Sequence, residues 1–535
     1  MADTNPRVRT ENQVPEYLAR IGGEDRRGRE WRRVAAARLW IDAPETATKL
    51  ERGELTAEET PSAVSEPLLG KCAVVGYEDM RAAARSAATA APSWVRRDRE
   101  TCFLLGPTFR ARLIHARQRL RRLLISEGCP GRIADWQLNT LTRLFDAESC
   151  SFYRELGRTE IALESGHGFL QYQPDGVVCV DPPANAPCFS TTMAVLYSLM
   201  AGNGVVVRIP RSAPLSTTLL LREIVVPALR ELGGPDELVN FCCASPGEAL
   251  RAWLDEPCVN DIFYQGGSEK GLRLQAECLK RGKKALLELS GNDTVLVWHD
   301  ADVERVADTL CEAFWASGQL CIAPNKAVVH PRALPSLTRA LIPRMRRMRP
   351  GYPEDEETVL TPVPAEHSRT DRAEAPEEDG EVLVGGERLD VTGAPDPHGT
   401  FLEPTITRVN GLDRASCLST VREETFRPLL VLAIPHDNDE AEMLEEMIGF
   451  VNDNSYGLRN SVWTRSRSVA ERFVRGVHNG ALIKVNRSHI NFTPFLPTHG
   501  GTGLSCGVYG EAHYLVLKTC HLQAVEMDEE LRTHT

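Results

Sequence analysis

Gly318-Gln319-Leu320-Cys321 follows Glu288-Leu289-Ser290-Gly291-Asn292 along the chain. The first stretch offers a cysteine that can act as a nucleophile, and the second offers a carboxylate that can act as a base. A thiolate can add to a carbonyl carbon, the adduct can give up a hydride to a nicotinamide, and base-activated water can hydrolyse the remaining thioester. The two stretches therefore predict thiol chemistry on a carbonyl group.

The setting of Cys321 separates it from the other cysteines. The chain has 15 of them, and a buried free cysteine usually serves as a small apolar side chain. Cys321 instead follows a helix-like stretch at 303–314 and a Gly-Gln turn, and it precedes a strand-like run at 326–330. Loops carried by rigid elements are where functional groups concentrate.

An ordered series of motifs accompanies these two stretches. Gly-Gln-x-Cys at 318–321, and Glu-Leu-Ser-Gly at 288–291 with Ser290 in place of a glycine, resemble the active-site signatures of the aldehyde dehydrogenase superfamily. Each motif alone is weakly specific, whereas the ordered set is specific and covers roughly residues 70 to 520. The other members of the set are Ala201-Gly202-Asn203, Asp300-Ala301-Asp302, Glu423 to Pro428, Asn454 to Leu458, Val485-Asn486, Gly500-Gly501 and Leu504-Ser505.

The fold class predicted is α/β. Short apolar runs at 177–180, 204–208, 238–241 and 261–264 are separated by helix-length segments, which is typical of a parallel sheet. The resemblance implies a Rossmann-like cofactor domain, an α/β catalytic domain and a small β element that joins subunits. No Gly-x-Gly-x-x-Gly fingerprint occurs in the first sheet, and the family binds its dinucleotide without one.

Domain boundaries follow from the same resemblance. We expect residues 1–65 to form an N-terminal extension of uncertain order, and 362–379 to form a surface loop. The remaining divisions are 66–157 and 174–287 for the cofactor domain, 158–173 for an oligomerisation hairpin, 288–503 for the catalytic domain and 504–535 for a C-terminal oligomerisation segment.

Three residues carry the expected chemistry. Cys321 would be the nucleophile, with its thiolate favoured by nearby amide dipoles and by the positive ring of the cofactor. Asn185 matches the family's asparagine and would hold the oxyanion together with the Cys321 backbone N–H, a role worth roughly 3 to 4 kcal/mol in other enzymes; a turn-capping amide is the alternative. Glu288 would be the general base. Because family members that pass the acyl group to coenzyme A generally lack this glutamate, hydrolysis to an acid is favoured.

The resemblance also implies a cofactor site. Gly266-Gly267-Ser268 precedes a helix whose N-terminus would receive the pyrophosphate. Glu424 matches the glutamate that holds the nicotinamide ribose, and Phe426 matches the aromatic near the ring. Arg208 stands where the family usually has lysine, and Arg211 stands where members that prefer NAD usually carry glutamate. An arginine at this position favours NADP over NAD, because it offers donors and a fixed charge to a 2′-phosphate; solvent exposure of Arg211 is the alternative.

Departures from the family pattern leave the substrate open. An alanine, Ala186, replaces the aromatic of Asn-Phe-Pro, Leu320 precedes the nucleophile, and His489 and His499 occupy the stretch that lines the substrate tunnel in the family. These four positions predict a pocket reshaped for a bulkier or more polar aldehyde, although a loop histidine is commonly just solvated.

Composition limits the remaining functions. The formal net charge of -12 argues against nucleic-acid binding. The absence of any run of 18 apolar residues argues against a membrane span, and the polar N-terminus and irregular cysteine spacing predict a cytoplasmic protein without a disulfide framework or metal site. We expect a homodimer or homotetramer joined by the hairpin and a strand at 514–521. Alternatives to a hydrolytic aldehyde dehydrogenase are an acyl-transferring or reductive variant and a catalytically silent relative.

Overall fold

The computed structural model describes residues 14–60, 64–183, 185–363, 380–507 and 514–528. Most of the expected surface loop at 362–379 lies outside these ranges. Within them, no helix combines the length and the apolar character needed to cross a bilayer.

Twenty-four strands and nineteen α-helices make up the described chain. The strands are β1 (Glu16–Tyr17), β2 (Ala19–Ile21), β3 (Glu24–Arg26), β4 (Glu30–Ala35), β5 (Leu68–Val74), β6 (Arg158–Ala162), β7 (His167–Pro174), β8 (Val177–Asp181), β9 (Gly204–Arg208), β10 (Val239–Cys242), β11 (Asp261–Gln265), β12 (Lys284–Glu288), β13 (Asp293–Val297), β14 (Pro324–Val329), β15 (Glu381–Val384), β16 (Arg388–Leu389), β17 (Phe401–Leu402), β18 (Thr405–Asn410), β19 (Leu429–Ile434), β20 (Tyr456–Gly457), β21 (Arg459–Trp463), β22 (Leu482–Val485), β23 (Thr502–Gly503) and β24 (Cys520–Met527). The helices are α1 (Ala37–Asp42), α2 (Pro44–Arg52), α3 (Tyr77–Val95), α4 (Arg99–Phe103), α5 (Leu105–Ser126), α6 (Gly131–Leu144), α7 (Ala147–Leu156), α8 (Pro187–Ala201), α9 (Pro214–Leu220), α10 (Val226–Glu231), α11 (Pro246–Asp255), α12 (Ser268–Leu279), α13 (Val303–Leu310), α14 (Leu334–Met345), α15 (Leu412–Ala415), α16 (Ser419–Arg422), α17 (Glu440–Asn452), α18 (Arg467–Gly476) and α19 (Leu515–Lys518).

The first large sheet has seven strands in the order β12-β11-β8-β9-β10-β2-β3. Its first five strands are parallel. Alternate residues of a strand point to opposite faces, and in β9 Val205 and Val207 enter one apolar core while Val206 enters another. Both faces are therefore buried under helices, which explains why β8 to β11 are largely apolar rather than alternating. The predicted Rossmann-like sheet is confirmed.

The N-terminal region differs from the expectation. Residues 14–60 form β1 to β4, α1 and α2 rather than a segment of uncertain order. Strands β2 and β3 complete the edge of the first sheet, and β4 pairs with β5 in a three-stranded sheet. The strands β1 to β3 are two or three residues long, which is too short for a hydrophobic period to be visible in the sequence.

The second large sheet also has seven strands, in the order β15-β18-β19-β14-β13-β21-β22. Only β15 runs antiparallel to its neighbour within the described part of this sheet. Val295 and Val297 of β13 enter one core and Leu296 enters the other, so this sheet is also covered on both faces. The chain crosses from the first sheet to the second between β12 and β13, at the motif that contains Glu288.

A third, three-stranded sheet has the order β24-β7-β6. It contains the predicted hairpin, with Ser165 and Gly166 in the turn. The predicted strand at 514–521 is wrong: residues 515–518 are the helix α19 and the strand is β24. The apolar run of α19 suits either element, and its packing against α8 decides for the helix.

Candidate functional site

The loop that carries Cys321 lies between the irregular 3₁₀ segment Cys311–Gly318 and β14. Ala316, Ser317 and Gly318 all have left-handed backbone conformations, with φ of 49°, 54° and 72°. A Cβ added at Gly318 would lie 2.2 Å from the Arg427 carbonyl oxygen, and one at Gly291 would lie 1.8 Å from the carbonyl oxygen of Cys321. Gly291 is therefore required because the backbones of the two motifs are in direct contact there, and Gly318 because the Cys321 loop packs against the backbone of Arg427.

The Cys321 side chain sits among carboxylates. Burial raises the pKa of the Cys321 thiol, and the nearby carboxylates of Glu424 and Glu288 raise it further, while the Arg459 guanidinium opposes them. The protein groups alone thus favour the protonated thiol, and the expected thiolate stays a prediction for the protein with its cofactor bound. A second positive charge or a proton acceptor is needed to ionise it.

Glu288 is the last residue of β12 and its side chain is buried. Burial raises the pKa of its carboxyl to about 8, and the Gly500 backbone N–H, which donates to Oε2 at 3.3 Å, pulls this pKa down in part. A carboxyl that titrates close to neutral pH is matched to general-base catalysis.

Asn185 lies beside the nucleophile loop. Its Nδ2 donates to the Gln319 carbonyl oxygen at 2.9 Å. The helix α8 that follows begins after Ala186, which has a positive φ of 43° and provides no side-chain cap. The amide therefore contacts the loop itself rather than capping the helix. A cavity of about 160 Å³ lies next to it, with Ala186 and Leu320 in its wall.

The pyrophosphate candidate Gly266-Gly267-Ser268 joins the carboxyl end of β11 to α12. Gly267 is the N-cap residue, and a Cβ placed there would meet nothing within 4 Å. Gly266 is closely packed, because its Cβ would lie 2.5 Å from the Tyr264 hydroxyl. Ser268 Oγ donates to the Leu504 carbonyl at 2.7 Å. The helix N-terminus is thus open on the side where an anion could approach its backbone N–H groups.

Glu424 lies close to both signature motifs. It accepts a hydrogen bond from the Gly291 backbone N–H at 3.1 Å, and burial raises its carboxyl pKa to about 7. Phe426 follows with a positive φ of 50°, which is rare for a bulky residue. The structure therefore brings these two predicted cofactor residues to the Cys321 loop.

The two predicted cofactor arginines differ. Arg208 is buried and forms an ion pair with Asp181, with a further bond from Nη2 to the Pro182 carbonyl at 3.3 Å. Arg211 is exposed and lines a cavity of about 310 Å³. Sequence reasoning missed the N-terminal arginines that line the same cavity: Arg29, Arg32, Arg33 and Arg52.

The two predicted pocket histidines are both buried. His489 Nε2 lies 3.1 Å from Asp293 Oδ2, and its Nδ1 lies 3.0 Å from Ser461 Oγ. His489 therefore belongs to the core beneath the loop, which corrects its expected place in the pocket wall. His499 packs with its ring centroid 5.5 Å from that of Phe492.

An aromatic cluster near the loop was not predicted. The Phe492 ring lies 5.1 Å from Phe189 and 6.0 Å from Trp136, and these residues pack in the same core as Cys321. They come from a loop and from two different helices, α8 and α6, so no local sequence signal connects them.

Backbone strain is concentrated around these residues. Six non-glycine residues of the described chain have positive φ, and such conformations persist where the surrounding structure enforces them, often at functional sites. Five of the six lie within or next to the motifs, and the sixth, Phe495, lies in the stretch between His489 and His499; the five are Ala186, Ala316, Ser317, Phe426 and Asn486.

Among the described residues, one group of three potential metal ligands lies at the opposite end of the second sheet. The ligand atoms of His299, His330 and Glu440 lie within 4.8 Å of one another. However, Glu440 is paired with the Arg332 guanidinium, and His330 Nδ1 accepts the Arg332 backbone N–H at 3.1 Å, which leaves the ring proton on Nε2. Both features oppose a bound cation, and we assign no metal to this group.

A loop cysteine and a buried carboxyl lie together at the junction of two parallel α/β sheets, an arrangement suited to an enzyme that works through a covalent intermediate. A family model described as the aldehyde dehydrogenase family matches residues 52–525. The chain belongs to this family, and it is an NAD(P)-dependent aldehyde dehydrogenase.

Two known relatives agree with this assignment, and two solved structures agree with the fold. A 1-pyrroline-5-carboxylate dehydrogenase of Halalkalibacterium halodurans is 28% identical over 408 residues, which are 72% of this chain and 74% of that protein. A vanillin dehydrogenase of Pseudomonas fluorescens is 26% identical over 465 residues, 84% and 90% of the two chains. An NAD-dependent aldehyde dehydrogenase from Sinorhizobium meliloti has a TM-score of 0.79 at 20% identity, covering 96% of this chain and 95% of that one. An NADP-dependent enzyme of E. coli has a TM-score of 0.78 at 22% identity, covering 96% and 98%.

Proposed function

We propose that the protein oxidises an aldehyde to a free carboxylic acid, with Cys321 as nucleophile, Glu288 as general base and Asn185 as oxyanion donor. The observation that carries this proposal is the buried Glu288 carboxyl, whose pKa of about 8 suits proton transfer and whose charge acts on the Cys321 thiol.

The residues divide the reaction between them. Ionised Glu288 is a group able to take the proton from the Cys321 thiol, whose sulfur then bonds to the aldehyde carbon. The Asn185 amide, turned from the Gln319 carbonyl, and the Cys321 backbone N–H hold the oxyanion that forms. A bound nicotinamide cofactor supplies the hydride acceptor. Glu288 releases the thiol proton to solvent and then takes a proton from water, the resulting hydroxide adds to the thioester carbon, and the carbon–sulfur bond breaks to release the acid and the Cys321 thiolate.

The presence of Glu288 favours water over coenzyme A as the acyl acceptor. An acyl-transferring enzyme has no need of a base that activates water, and a buried carboxyl is costly to retain without use. Acyl transfer to a thiol remains the second candidate, and the family resemblance alone is compatible with both.

For the cofactor we propose a preference for NADP. Arg211 is exposed beside a cavity to which Arg32 and Arg33 also contribute, so a 2′-phosphate there would meet several guanidinium groups. Arg208 is engaged with Asp181 and contributes less than its position suggested. The α12 N-terminus at Gly267 would take the pyrophosphate, and Glu424 the nicotinamide ribose.

We propose that the substrate reaches the cavity bounded by Ala186 and Leu320. The loss of an aromatic at Ala186 leaves this space of about 160 Å³ open, which suits a bulkier or more polar aldehyde. The relatives named above act on an aromatic aldehyde and on a carboxylate-bearing substrate, and compounds of both classes are candidates here.

We also propose a homodimer or homotetramer joined through the third sheet. Strand β6 is exposed along its whole length, and exposed strand edges are normally paired or protected. Ile161, Leu163 and Leu522 are large apolar side chains exposed on this sheet, with 38%, 38% and 53% of their surface accessible. Light scattering at micromolar protein should give a multiple of 59.2 kDa; the monomer mass would refute the proposal.

A single assay series tests the activity. Purified protein is offered aliphatic, aromatic and carboxylate-bearing aldehydes with NAD or NADP, each with and without coenzyme A, while cofactor reduction and acid formation are both followed. We expect equal amounts of reduced cofactor and free acid without coenzyme A. A requirement for coenzyme A would establish the acyl-transferring alternative instead.

A further inference from the structure

Arg459 is a buried arginine that bridges two ends of one loop. It begins β21 and only 1% of its surface is accessible. Its Nη1 donates to the carbonyl oxygens of His489 at 3.0 Å and Ile490 at 3.2 Å, and its Nη2 donates to that of Thr498 at 2.8 Å. The guanidinium also lies 4.6 Å from the centre of the Phe492 ring. Residues 487–499, hereafter the 487–499 loop, are thus closed by one side chain.

The planar guanidinium is suited to this contact. Its donors point in fixed directions, so one group can hold acceptors on two chain segments at a set separation. Arg459 is itself held in place, because its backbone N–H donates to Asp293 Oδ1 at 3.0 Å. The other Asp293 oxygen meets the ring of His489 at 3.1 Å. Arg459 and the beginning of the loop that it holds are therefore both anchored to Asp293 at the start of β13.

The clamped end of the loop leads directly to the base. Thr498, whose carbonyl Arg459 holds, is followed two positions later by Gly500, whose N–H donates to Glu288 Oε2 at 3.3 Å. Gly500 has a φ of 103°, which a residue with a side chain rarely adopts. Because only His499 separates Thr498 from Gly500, a displacement of Thr498 would also move the Gly500 N–H and weaken its hydrogen bond to Glu288.

We propose that Arg459 is the positioning residue for Glu288: by fixing Thr498 it holds the Gly500 N–H against the carboxyl, and so determines the rate at which the thioester is hydrolysed. This inference rests on the proposed role of Glu288 as the base for hydrolysis. It assigns no direct contact between Arg459 and the substrate.

Lys484 provides a matched control. It lies on the neighbouring strand β22, and its Nζ donates to the carbonyl oxygens of Ser488, His489 and Asn491 at 2.8, 2.7 and 2.6 Å. It is a buried cation that holds three loop carbonyls, like Arg459, but all three belong to the beginning of the loop. Loss of Lys484 should loosen the loop without releasing Thr498.

The test compares Arg459→Met, Arg459→Lys and Lys484→Met in rapid-mixing assays of the full-length protein with a competent aldehyde. For Arg459→Met we expect the first turnover still to release reduced cofactor near one equivalent per site, although more slowly because no guanidinium opposes the raised pKa of the Cys321 thiol, while the steady-state rate falls on the order of tenfold to a hundredfold, as for a catalytic group displaced by about 1 Å. Arg459→Lys should show the same split, that is, a retained burst with a reduced steady-state rate, because one ammonium cannot reach both ends of the loop. Lys484→Met should show none.

A purely structural role for Arg459 makes a different prediction. Partial unfolding would reduce the burst and the steady state by the same factor, and that result would overturn the inference, as would an equal split in Lys484→Met. If Arg459→Met does not fold, Arg459→Lys decides alone, with amide hydrogen exchange at 498–501 as a second readout that should accelerate in it and not in Lys484→Met. The Glu288→Gln variant separates the proposed function from this inference. If its burst and its steady-state rate decline together, the proposed function fails. If it keeps its burst and loses steady-state turnover while the Arg459 variants do not, only this inference fails.

Discussion

The two seven-stranded sheets present opposite ends to the site. In the first large sheet, hereafter the cofactor sheet because we propose that it binds the dinucleotide, Gly266 and Arg208 lie at the carboxyl ends of β11 and β9. This is the end expected for ligand sites in open α/β sheets. In the second large sheet, hereafter the catalytic sheet, the Cys321 loop enters β14 at its amino end, and Asp293 and Arg459 begin β13 and β21. The site lies where the carboxyl ends of one sheet meet the amino ends of the other.

The charges at the two ends differ as well. Arg211 on the cofactor side is exposed, whereas the catalytic sheet carries buried ionisable groups, with Asp293 and Arg459 at the starts of strands and Lys326 and Lys484 within them. An exposed charge can bind a ligand directly, whereas a buried charge binds backbone groups and shifts the pKa values of neighbouring side chains. Substitution of Cys321 or Glu288 on the catalytic side should therefore alter the chemistry, whereas substitution of Arg211 on the cofactor side should alter cofactor choice.

The largest expected effect is that of Cys321→Ala. Without the nucleophile no covalent intermediate forms, and turnover should fall by about a thousandfold or more. Dinucleotide binding, measured by fluorescence titration, should persist because its elements lie on the other sheet. Cys311→Ala, at a buried thiol shortly before the loop, serves as the control and should retain turnover. Turnover like that of the wild type in Cys321→Ala would move the nucleophile elsewhere.

Glu288→Gln should have the next largest effect. An amide cannot take a proton from water, so acyl-enzyme accumulates and steady-state turnover falls by roughly a hundredfold or more, after a burst near one equivalent per site. Asp261, at the start of β11, is another buried carboxyl, with its pKa raised chiefly by burial to about 8, and Asp261→Asn should show no such difference between burst and steady state. If burst and steady state decline together in Glu288→Gln, the residue has another role.

On the cofactor side, Arg211→Glu should reverse the cofactor preference. One charge-assisted hydrogen bond contributes roughly 1.5 to 3 kcal/mol, so the ratio of kcat/KM for NADP to that for NAD should fall about tenfold to a hundredfold. Arg467→Glu makes the same charge change on an arginine side chain that is 92% exposed, and it should leave the ratio unchanged. A wild type that prefers NAD, or an unchanged ratio in Arg211→Glu, would remove Arg211 from the cofactor site.

The α/β class and the order of the motifs could be predicted from the sequence because both depend on local signals. Buried parallel strands are continuous apolar runs, and a loop motif such as Gly-Gln-x-Cys keeps its spacing when its backbone is packed at Gly318 and Gly291. The role of residues 14–51 could not be predicted, since short strands carry no period and the family match begins only at residue 52.

Side-chain partners across the fold were equally inaccessible. The ion pair of Arg208 with Asp181, the burial of His489 against Asp293, and the three carbonyls held by Arg459 all join segments far apart in sequence. Each residue type was visible, but its partner was set by strand order, which sequence spacing does not reveal.

The smallest expected effect is a pH dependence that belongs to the catalytic side alone. The Glu288 carboxyl has a pKa of about 8 in the folded protein, against an ordinary value of 4.5, because burial disfavours its charged form. It can act as a base only when ionised, so steady-state turnover should rise by at most about tenfold between pH 7 and pH 8 and then level. In Glu288→Gln the residual rate depends on hydroxide and should continue to rise above that pH.

Stability, in contrast to turnover, should decline as the pH rises. Between pH 4.5 and 8 the folded state retains a proton on Glu288 that the unfolded state has lost, so the free energy of unfolding declines as the pH rises, by at most about 1.4 kcal/mol per unit for this group. Glu424 and Glu127, also raised by burial, act in the same direction, and the difference in Tm between wild type and Glu288→Gln isolates the contribution of Glu288. That difference should shift in favour of the variant as the pH rises from 5 to 8. If instead the wild type shows flat turnover across this range and the Tm difference does not move, the carboxyl is ionised throughout, and the contrast between a tuned catalytic side and a selective cofactor side loses its main support.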